Sequence, residues 1–424
     1  MKILVLGSGA REHAIIKALL SENAGHEITS APGNAGIARE VHTVALDPND
    51  PGIITNYANE HSIELVVIGP EAPLVAGVAD ALSTHGIPVF GPGKAAAQLE
   101  GSKSFAKHIM DEAGVPTGRS VRAATLAEVK DALDAFGAPY VVKADGLAAG
   151  KGVLVTEDRA AALAHATYWL EHGSVLIEEF LDGEEVSLFL LSDGQSVLPL
   201  APAQDYKRLG DGDAGPNTGG MGAYSPLPWL PESFVDEVIE TVALPTIHQL
   251  AKEQTPFVGL LYCGLILTPA GIRVIEFNAR FGDPETQVVL PRLLTPLSGL
   301  LFAAATGELA GMPRPEFAMD AAVTVVLASE GYPAAPLTGR VIKGADAAAS
   351  VPEVQLLHAA TAIGDDGALI ATGGRVLDVV ALGTTFAEAR ERAYEAMGRI
   401  HLEGGQYRTD IAQRVVDSRP PAFD

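Results

Sequence analysis

The first hundred residues alternate short apolar runs with amphipathic ones, and this order constrains the fold more than any other feature. Residues 3–6, 65–68 and 89–90 read as strands, while 12–20 and 79–85 carry helical spacing. Strands separated by helical segments predict a parallel sheet with crossover helices. The pattern then changes. A helix opens after Ser102, a suitable N-cap, and closes at Gly114 and Pro116. Residues 121–190 hold a helix (126–136), a strand (140–144), a glycine-rich loop, a strand (153–156), a helix (159–171) and a strand (175–180), a compact α+β unit of lid size. Strand signals at 185–191 and 197–200 follow, then one helix over 233–252 and a long hairpin ending at Asn278. Beyond residue 320 come β-rich runs at 321–328, 354–361 and 375–381 and a helix at 385–400.

A chain of 424 residues is too long for one ordinary domain. The expected class is α/β and α+β multidomain: a parallel α/β domain over 1–100, a central domain over 101–325 that includes the lid unit 121–190, and a β-rich domain over 326–424. A hydrophobic fraction of 47% with 45 Gly and 28 Pro fits an ordered enzyme with many tight turns. The net charge of −24 repels nucleic-acid phosphates and anionic membrane surfaces, so neither is an expected partner. Anionic small molecules can still bind where glycine loops and single cations act locally. The lone Cys263 excludes an intrachain disulfide and a multi-thiolate zinc site, and it sits in an apolar run as a small buried hydrophobe. With no signal-peptide pattern at Lys2-Ile-Leu-Val-Leu-Gly, the expected location is the cytoplasm. The uncharged stretch 254–272 is interrupted by Pro256, Gly259, Gly264, Pro269 and Gly271, and it reads as a hairpin rather than a membrane span.

Four segments carry chemistry. Gly7-Ser-Gly-Ala-Arg-Glu-His follows a strand and opens a helix, which is half of a dinucleotide fingerprint. Glu12 occupies the third glycine position, and Ser30-Ala-Pro-Gly-Asn ends the next strand without a carboxylate, so a nicotinamide cofactor is disfavoured. What remains is a helix N-terminus with free N–H groups beside Arg11, suited to a phosphate monoester, or else a merely structural turn. Lys143-Ala-Asp-Gly-Leu-Ala-Ala-Gly-Lys-Gly-Val differs from a phosphate loop of the Walker type, because no Ser or Thr follows Lys151 and it runs from strand to strand. Its backbone can fold over a polyphosphate with Lys143 below; an ordinary glycine-rich hairpin is the alternative. Ile177-Glu-Glu-Phe-Leu-Asp-Gly-Glu-Glu-Val offers the amides of Phe180 and Leu181 to a base and carboxylates to a ribose, although acidic runs are often simply solvated. In Arg273-Val-Ile-Glu-Phe-Asn-Ala-Arg-Phe-Gly-Asp-Pro-Glu, strand alternation puts Glu276, Asn278 and Arg280 on one face and Ile275 and Phe277 on the other. One carboxylate, one amide oxygen and nucleotide phosphates suit Mg²⁺, and a plain half-buried strand is the other reading.

Taken with Ala31-Pro-Gly-Asn-Ala-Gly, Ile68-Gly-Pro-Glu-Ala-Pro-Leu, Leu99-Glu-Gly-Ser-Lys and Gly215-Pro-Asn-Thr-Gly-Gly-Met-Gly-Ala-Tyr-Ser-Pro, these segments resemble the glycinamide ribonucleotide synthetase (phosphoribosylamine:glycine ligase) family of the ATP-grasp superfamily, over essentially the whole chain. The resemblance implies an N-terminal α/β domain, a small lid, an ATP-grasp domain and a C-terminal β-rich domain. It implies that Lys103 and Lys143 hold ATP phosphates under the loop that includes Gly146, Gly150, Lys151 and Gly152. Glu178, Glu179, Phe180 and Leu181 would read adenine, Glu185 the ribose, and Glu276 and Asn278 would carry Mg²⁺ or Mn²⁺. The phosphate of 5-phosphoribosylamine would fall to Gly9, Arg11, Asn34, Glu71, Gly374 and Arg375, with Lys207, Arg208, Thr218, Gly219, Gly220 and Met221 nearer the reacting groups. Lys143, Arg280 and Asp205 would act on those groups. Relatives more often show Asn and Gly where this chain has Ser8 and Ala10, so the phosphate site requires an ordinary helical backbone at residue 10.

The implied reaction joins glycine to 5-phosphoribosylamine through glycyl phosphate, with ATP as phosphoryl donor. The alternative is another ATP-grasp carboxylate–amine ligase or a carboxylase. The sequence leaves open the oligomeric state and any transient contact with neighbouring purine-pathway enzymes.

Overall fold

Residues 3–6 are buried on both faces, as the centre of a parallel sheet requires. In the computed structural model, which describes residues 1–146 and 152–418, the strand Lys2–Gly7 lies at the middle of a five-stranded parallel sheet. The order is His42–Thr43, Glu27–Pro32, Lys2–Gly7, Leu65–Ile68, Val89–Phe90. Strand order reverses beside Lys2–Gly7, so a crevice opens at the carboxyl ends there, next to Gly9, Asn34 and Glu71.

The lid-sized unit is an antiparallel sheet in the order Ser120–Ala123, Val175–Glu178, Tyr140–Ala144, Val153–Thr156. Two helices, Leu126–Phe136 and Arg159–Leu170, share its core. This unit stops at Glu178. The strand Glu184–Asp193, read from the sequence as part of the same unit, pairs along its length with Val258–Thr268 in another sheet, whose order is Val197–Pro199, Glu184–Asp193, Val258–Thr268, Gly271–Asn278. Residues 186–192 are buried throughout, which suits an interior strand with packed layers on either side. The expected hairpin over 254–272 is present, and Cys263 is fully buried in it. No helix among the described residues is long and apolar enough to cross a membrane.

Three local features depart from the sequence reading. The hairpin register places Glu276 opposite Gly264 and Val274 opposite Leu265, so Ile275 is a bulge. Strict alternation therefore fails at that point: Val274 and Phe277 are buried while Ile275 is only half-buried. The helix expected over 233–252 breaks into Phe234–Val238, a π turn at Ile239–Ala243 and Leu244–Lys252, because Pro245 has no N–H for the usual bond. The helix Leu297–Thr306 had no expectation at all, since a nearly all-apolar segment shows no period.

A third sheet joins distant parts of the chain in the order Gln204–Asp205, Gly222–Ser225, Ala321–Ala328, Arg375–Gly383, Val354–His358, with the helix Phe386–Gly398 packed on it. The boundary drawn between 325 and 326 falls inside Ala321–Ala328. This sheet brings Asp205, the 218–221 turn and Arg375 to one side of the molecule.

Candidate active site

The cleft expected to take a nucleotide is built from cations converging on one carboxylate. The Lys143 Nζ lies 2.8 Å from Glu178 Oε2 and donates to the Ile275 carbonyl at 3.3 Å, so the bulge in the long hairpin supplies an acceptor at the cleft. Lys107, one helical turn after Lys103, reaches Glu178 Oε1 at 3.7 Å and donates to Thr117 Oγ1 and the Gly118 carbonyl. Lys103 donates to the Gly146 carbonyl at 3.1 Å, and burial lowers its pKa against the pull of Glu276. Burial likewise lowers Lys107. Three lysines around one buried Glu178 leave cationic capacity for a polyphosphate. Lys107 was missed by the sequence reading, although its spacing of four from Lys103 was the available signal. Gly150 and Lys151 lie outside the described residues; Gly152 accepts from the Ala144 N–H at 2.7 Å.

At the edge of this cleft Glu179 does not point to a base: its carboxylate is taken by the backbone N–H and Nε of Arg119. Among the described residues the amides of Phe180 and Leu181 have no protein acceptor, which leaves them available to an adenine. Glu185 is paired with Lys207 at 2.5 Å, and that ammonium holds its pKa down. Burial works against the charge of Lys207, but Glu185 and Asp205 raise it well above the usual lysine value. Asp205 is pushed up to about 7, first by desolvation and then by Glu285, Glu185 and Glu276, against the pull of Lys207. Beneath them Tyr262, Ser187 and Glu285 form a buried hydrogen-bonded triangle with sides of 2.9 to 3.0 Å. Glu276 acts electrostatically on Lys103, Lys207 and Asp205 alike, so it sits where the cleft and this polar group meet.

The expected metal pair, Glu276 and Asn278, keeps its shared face because both follow the bulge and flank the buried Phe277. Among the described residues no cluster of three or more His, Cys, Asp or Glu side chains could hold a metal ion without other donors. The pair therefore suits an ion that arrives with nucleotide phosphates.

The opening loop differs from its sequence reading. The amide just before its helix is taken, since the Gly9 N–H donates to Glu12 Oε2 at 2.6 Å, while among the described residues the N–H groups of Ala10 and Arg11 have no protein acceptor. Glu12 is buried, and Cβ atoms at Gly7 or Gly69 would collide with it, so this side chain fills the space a dinucleotide pyrophosphate would need. Arg11 is also buried, paired with Glu12 Oε1 at 2.6 Å and donating to the Phe281 carbonyl at 3.3 Å. Ala10 begins the helix with no positive φ, so its methyl group does not strain the loop. Glu71 stands near enough to this loop to feel the charge of Arg11, but it does not line the cavity described next, and its carboxylate pairs with Arg280, which also holds Glu100. Burial opposes the charge of Arg280, but these two carboxylates raise its pKa.

A cavity of about 370 Å³ does collect Gly9, Asn34, Gly374 and Arg375, with Ser8, Thr361 and Thr372 beside them. Asn34 donates to the carbonyls of Ser8 and His358 and so stitches the first domain to the last. Arg375 donates to the carbonyls of Gly219 and Asp283 and lies 3.0 Å from Asp283 Oδ2. Thr218 bonds the Lys207 carbonyl, which ties this wall to the polar group beside the cleft. Met221 is fully buried, and Arg208 turns to the Gly215 carbonyl on an exposed hairpin, so neither side chain lines the cavity. Asp283 lines it and was missed; its presence in the motif after Asn278 was the only signal.

The whole chain matches known proteins. Residues 1–100, 101–286 and 322–414 match the phosphoribosylglycinamide synthetase N domain, ATP-grasp (A) domain and C domain. A phosphoribosylamine–glycine ligase of Leifsonia xyli subsp. xyli is 76% identical over 98% of this chain and 100% of its own length. The crystal structure of phosphoribosylamine–glycine ligase from Thermotoga maritima superposes with a TM-score of 0.82 at 35% identity, covering 97% of this chain and 100% of that one. The biotin carboxylase domain of 2-oxoglutarate carboxylase from Hydrogenobacter thermophilus shares the fold at a TM-score of 0.69 and 18% identity, over 96% of this chain and 91% of that one. With every domain matched in order and the motif-based resemblance borne out, the chain belongs to the phosphoribosylglycinamide synthetase family.

Proposed function

We propose that this chain joins glycine to 5-phosphoribosylamine in purine synthesis, with ATP converted to ADP and phosphate. The observation that carries this reading is end-to-end identity of 76% with a phosphoribosylamine–glycine ligase. The geometry agrees with it: a cation-rich cleft and a separate hydroxyl-lined cavity meet at the turn between Lys207 and Arg375.

An amine does not displace oxide from a carboxylate, so glycine must first be activated. Lys143, Lys107 and Lys103 bind and orient the ATP phosphates, and the glycine carboxylate attacks the γ-phosphorus to give glycyl phosphate and ADP. Glu276 and Asn278 would hold Mg²⁺, or Mn²⁺ in its place. A divalent ion there spreads the charge of the transferring phosphoryl group. The amine of the sugar then attacks the acyl carbon, the C–O bond to phosphate breaks, and the nitrogen loses a proton. Asp205, with a pKa near 7, is suited to accept that proton at neutral pH. Lys207 stays charged beside it and can stabilise the developing oxyanion. The buried Cys263 suits a reducing cytoplasm.

A carboxylase of the same fold is the second reading, favoured only by the structural likeness to a biotin carboxylase domain. ADP release measured with glycine alone, phosphoribosylamine alone, both together, and bicarbonate separates them. Fast release with both substrates is expected, and fast release with bicarbonate instead overturns the ligase assignment.

A further inference from the structure

We propose that Asp283 is the group that reads the ribose 2-hydroxyl of the sugar substrate; this rests on the ligase reading above. Among the described residues that line the cavity, Asp283 is the one carboxylate and Arg375 the one cation. Both are fixed. Gln287 Nε2 donates to Asp283 Oδ1 at 2.7 Å, Arg375 lies 3.0 Å from Oδ2, and Arg375 also holds the Asp283 carbonyl at 2.9 Å. Each carboxylate oxygen thus spends one lone pair on the protein and keeps another, and the side chain remains 14% exposed.

A carboxylate can only accept hydrogen bonds, so what it faces in a ligand must donate. It repels a phosphate, and it offsets the charge of Arg375; a Cβ at Gly9 would lie 3.9 Å from its Oδ2, so the Ser8–Gly9 loop stands beside this carboxylate and the phosphate belongs with the hydroxyls of Thr361 and Thr372. The position of Asp283 identifies the donor. A Cβ at Gly220 would lie 3.4 Å from its carbonyl, and the Gly219 carbonyl shares Arg375 with it, so Asp283 abuts the turn that bonds back to Lys207. That is the end of the cavity nearest the nucleotide cleft, where the amine on C1 must reach the acyl phosphate. The hydroxyl beside C1 is the 2-hydroxyl. A fixed carboxylate that loses this donor is left unpaired, which is the condition for strong discrimination against a deoxy analogue.

Ribose 5-phosphate and 2-deoxyribose 5-phosphate each form a glycosylamine with ammonia, so the comparison needs no labile stock. Glycine-dependent ADP release is followed with each sugar, with the glycosylamine concentration measured by NMR. The wild-type protein is expected to use the ribose form at least tenfold better in kcat/KM. Asp283→Ala is expected to bring the ratio of the two sugars close to one, by loss on the ribose form. Because the amination equilibria are the same for both proteins, they cancel in the comparison of ratios. If the wild type uses both sugars equally, the proposal is wrong. It is equally wrong if Asp283→Ala lowers both activities in parallel, the result of a merely structural ion pair. Should Asp283→Ala not fold, Asp283→Ser, too short to reach the hydroxyl but still polar beside Gln287 and Arg375, takes its place, and an unchanged ratio in it overturns the proposal. Failure of the wild type with both sugars, together with ADP release on bicarbonate, removes the ligase reading and this proposal with it.

Discussion

The two halves of the site are built on opposite plans. The nucleotide cleft is a set of charged side chains held by one another: Lys143 and Lys107 on Glu178, Lys207 on Glu185, and Arg280 on Glu71 and Glu100. The sugar cavity is a junction of five loops from all three matched domains, with backbone, hydroxyls and a single ion pair as its polar lining. Charge pairs of this kind hold the cations in place until a polyphosphate arrives. A cavity of loops selects by shape and by hydrogen-bond direction instead. Damage to the cleft should therefore appear in phosphoryl transfer, and damage to the cavity in the use of the amine.

The largest expected effect is on the strand that serves the cleft. Phe277 is buried behind Glu276 and Asn278, and Phe277→Ala should destabilise the fold by about 3 to 5 kcal/mol in urea denaturation. Glu276→Gln keeps the shape and should leave the urea midpoint nearly unchanged while glycine-dependent ADP release falls across a Mg²⁺ titration. A Glu276→Gln protein with wild-type turnover and an unchanged Mg²⁺ optimum would falsify the metal assignment.

Lys143→Met comes next. Removal of one preorganised charge at a transferring phosphoryl group is expected to lower kcat by roughly 10² to 10³. The ribose-to-deoxyribose ratio should not move, because the cavity is untouched. A shift of that ratio would mean that cleft and cavity are not separable.

The contrast also explains what could be read in advance. Lys103, Lys143, Glu276 and Asn278 sit on or beside regular elements whose period is visible in a short window, and the structure brings the three charged ones together with Asn278 two residues on. Lys107 was legible by the same rule and overlooked. The cavity was half legible. Gly9, Asn34 and Arg375 do meet there, but Asp283 joins them only because the third sheet returns Arg375 to the turn at Gly219, a contact spanning 156 residues of chain. Ile275 was misplaced because a bulge is a property of two paired strands, and one strand's alternation cannot show it. Glu12 was read as a missing glycine, whereas it is the residue that caps Gly9.

Acid should act on the cavity side first. His358 lies at its edge, buried, with Nδ1 3.0 Å from Thr361 Oγ1 and its ring 5.8 Å from that of His13. Burial, then His13 and Arg39, push its pKa down to about 4 from 6.5. Glu40, the acid that faces the pair, pulls the other way but does not outweigh burial. Below pH 6.5 the unfolded chain takes up a proton that the folded chain refuses, so stability falls from about pH 6.5 down to about 4. The loss from this group is of order 3 kcal/mol at most. Urea midpoints of wild type and His358→Gln over that range should converge as pH drops. Parallel profiles would show that His358 is not held neutral.

The smallest effect tests the residue on which sequence and structure differ most. The sequence gives Arg11 to the sugar phosphate, yet its guanidinium is buried between Glu12 and the Phe281 carbonyl and does not line the cavity. In either role Arg11→Ala should lower kcat/KM for phosphoribosylamine, by about tenfold or 1.4 kcal/mol, with the KM for ATP nearly constant. A tenfold loss of ATP affinity would break the division between the two halves. The sugar without its phosphate distinguishes the roles. Ribose and ammonia give ribosylamine, a poor substrate that still occupies the hydroxyl-reading end. If Arg11 touched the phosphate, the variant would lose activity only on the phosphorylated amine. As the structure places it, Arg11 holds the backbone at Phe281, two residues before Asp283, and the variant should lose about the same factor on both amines.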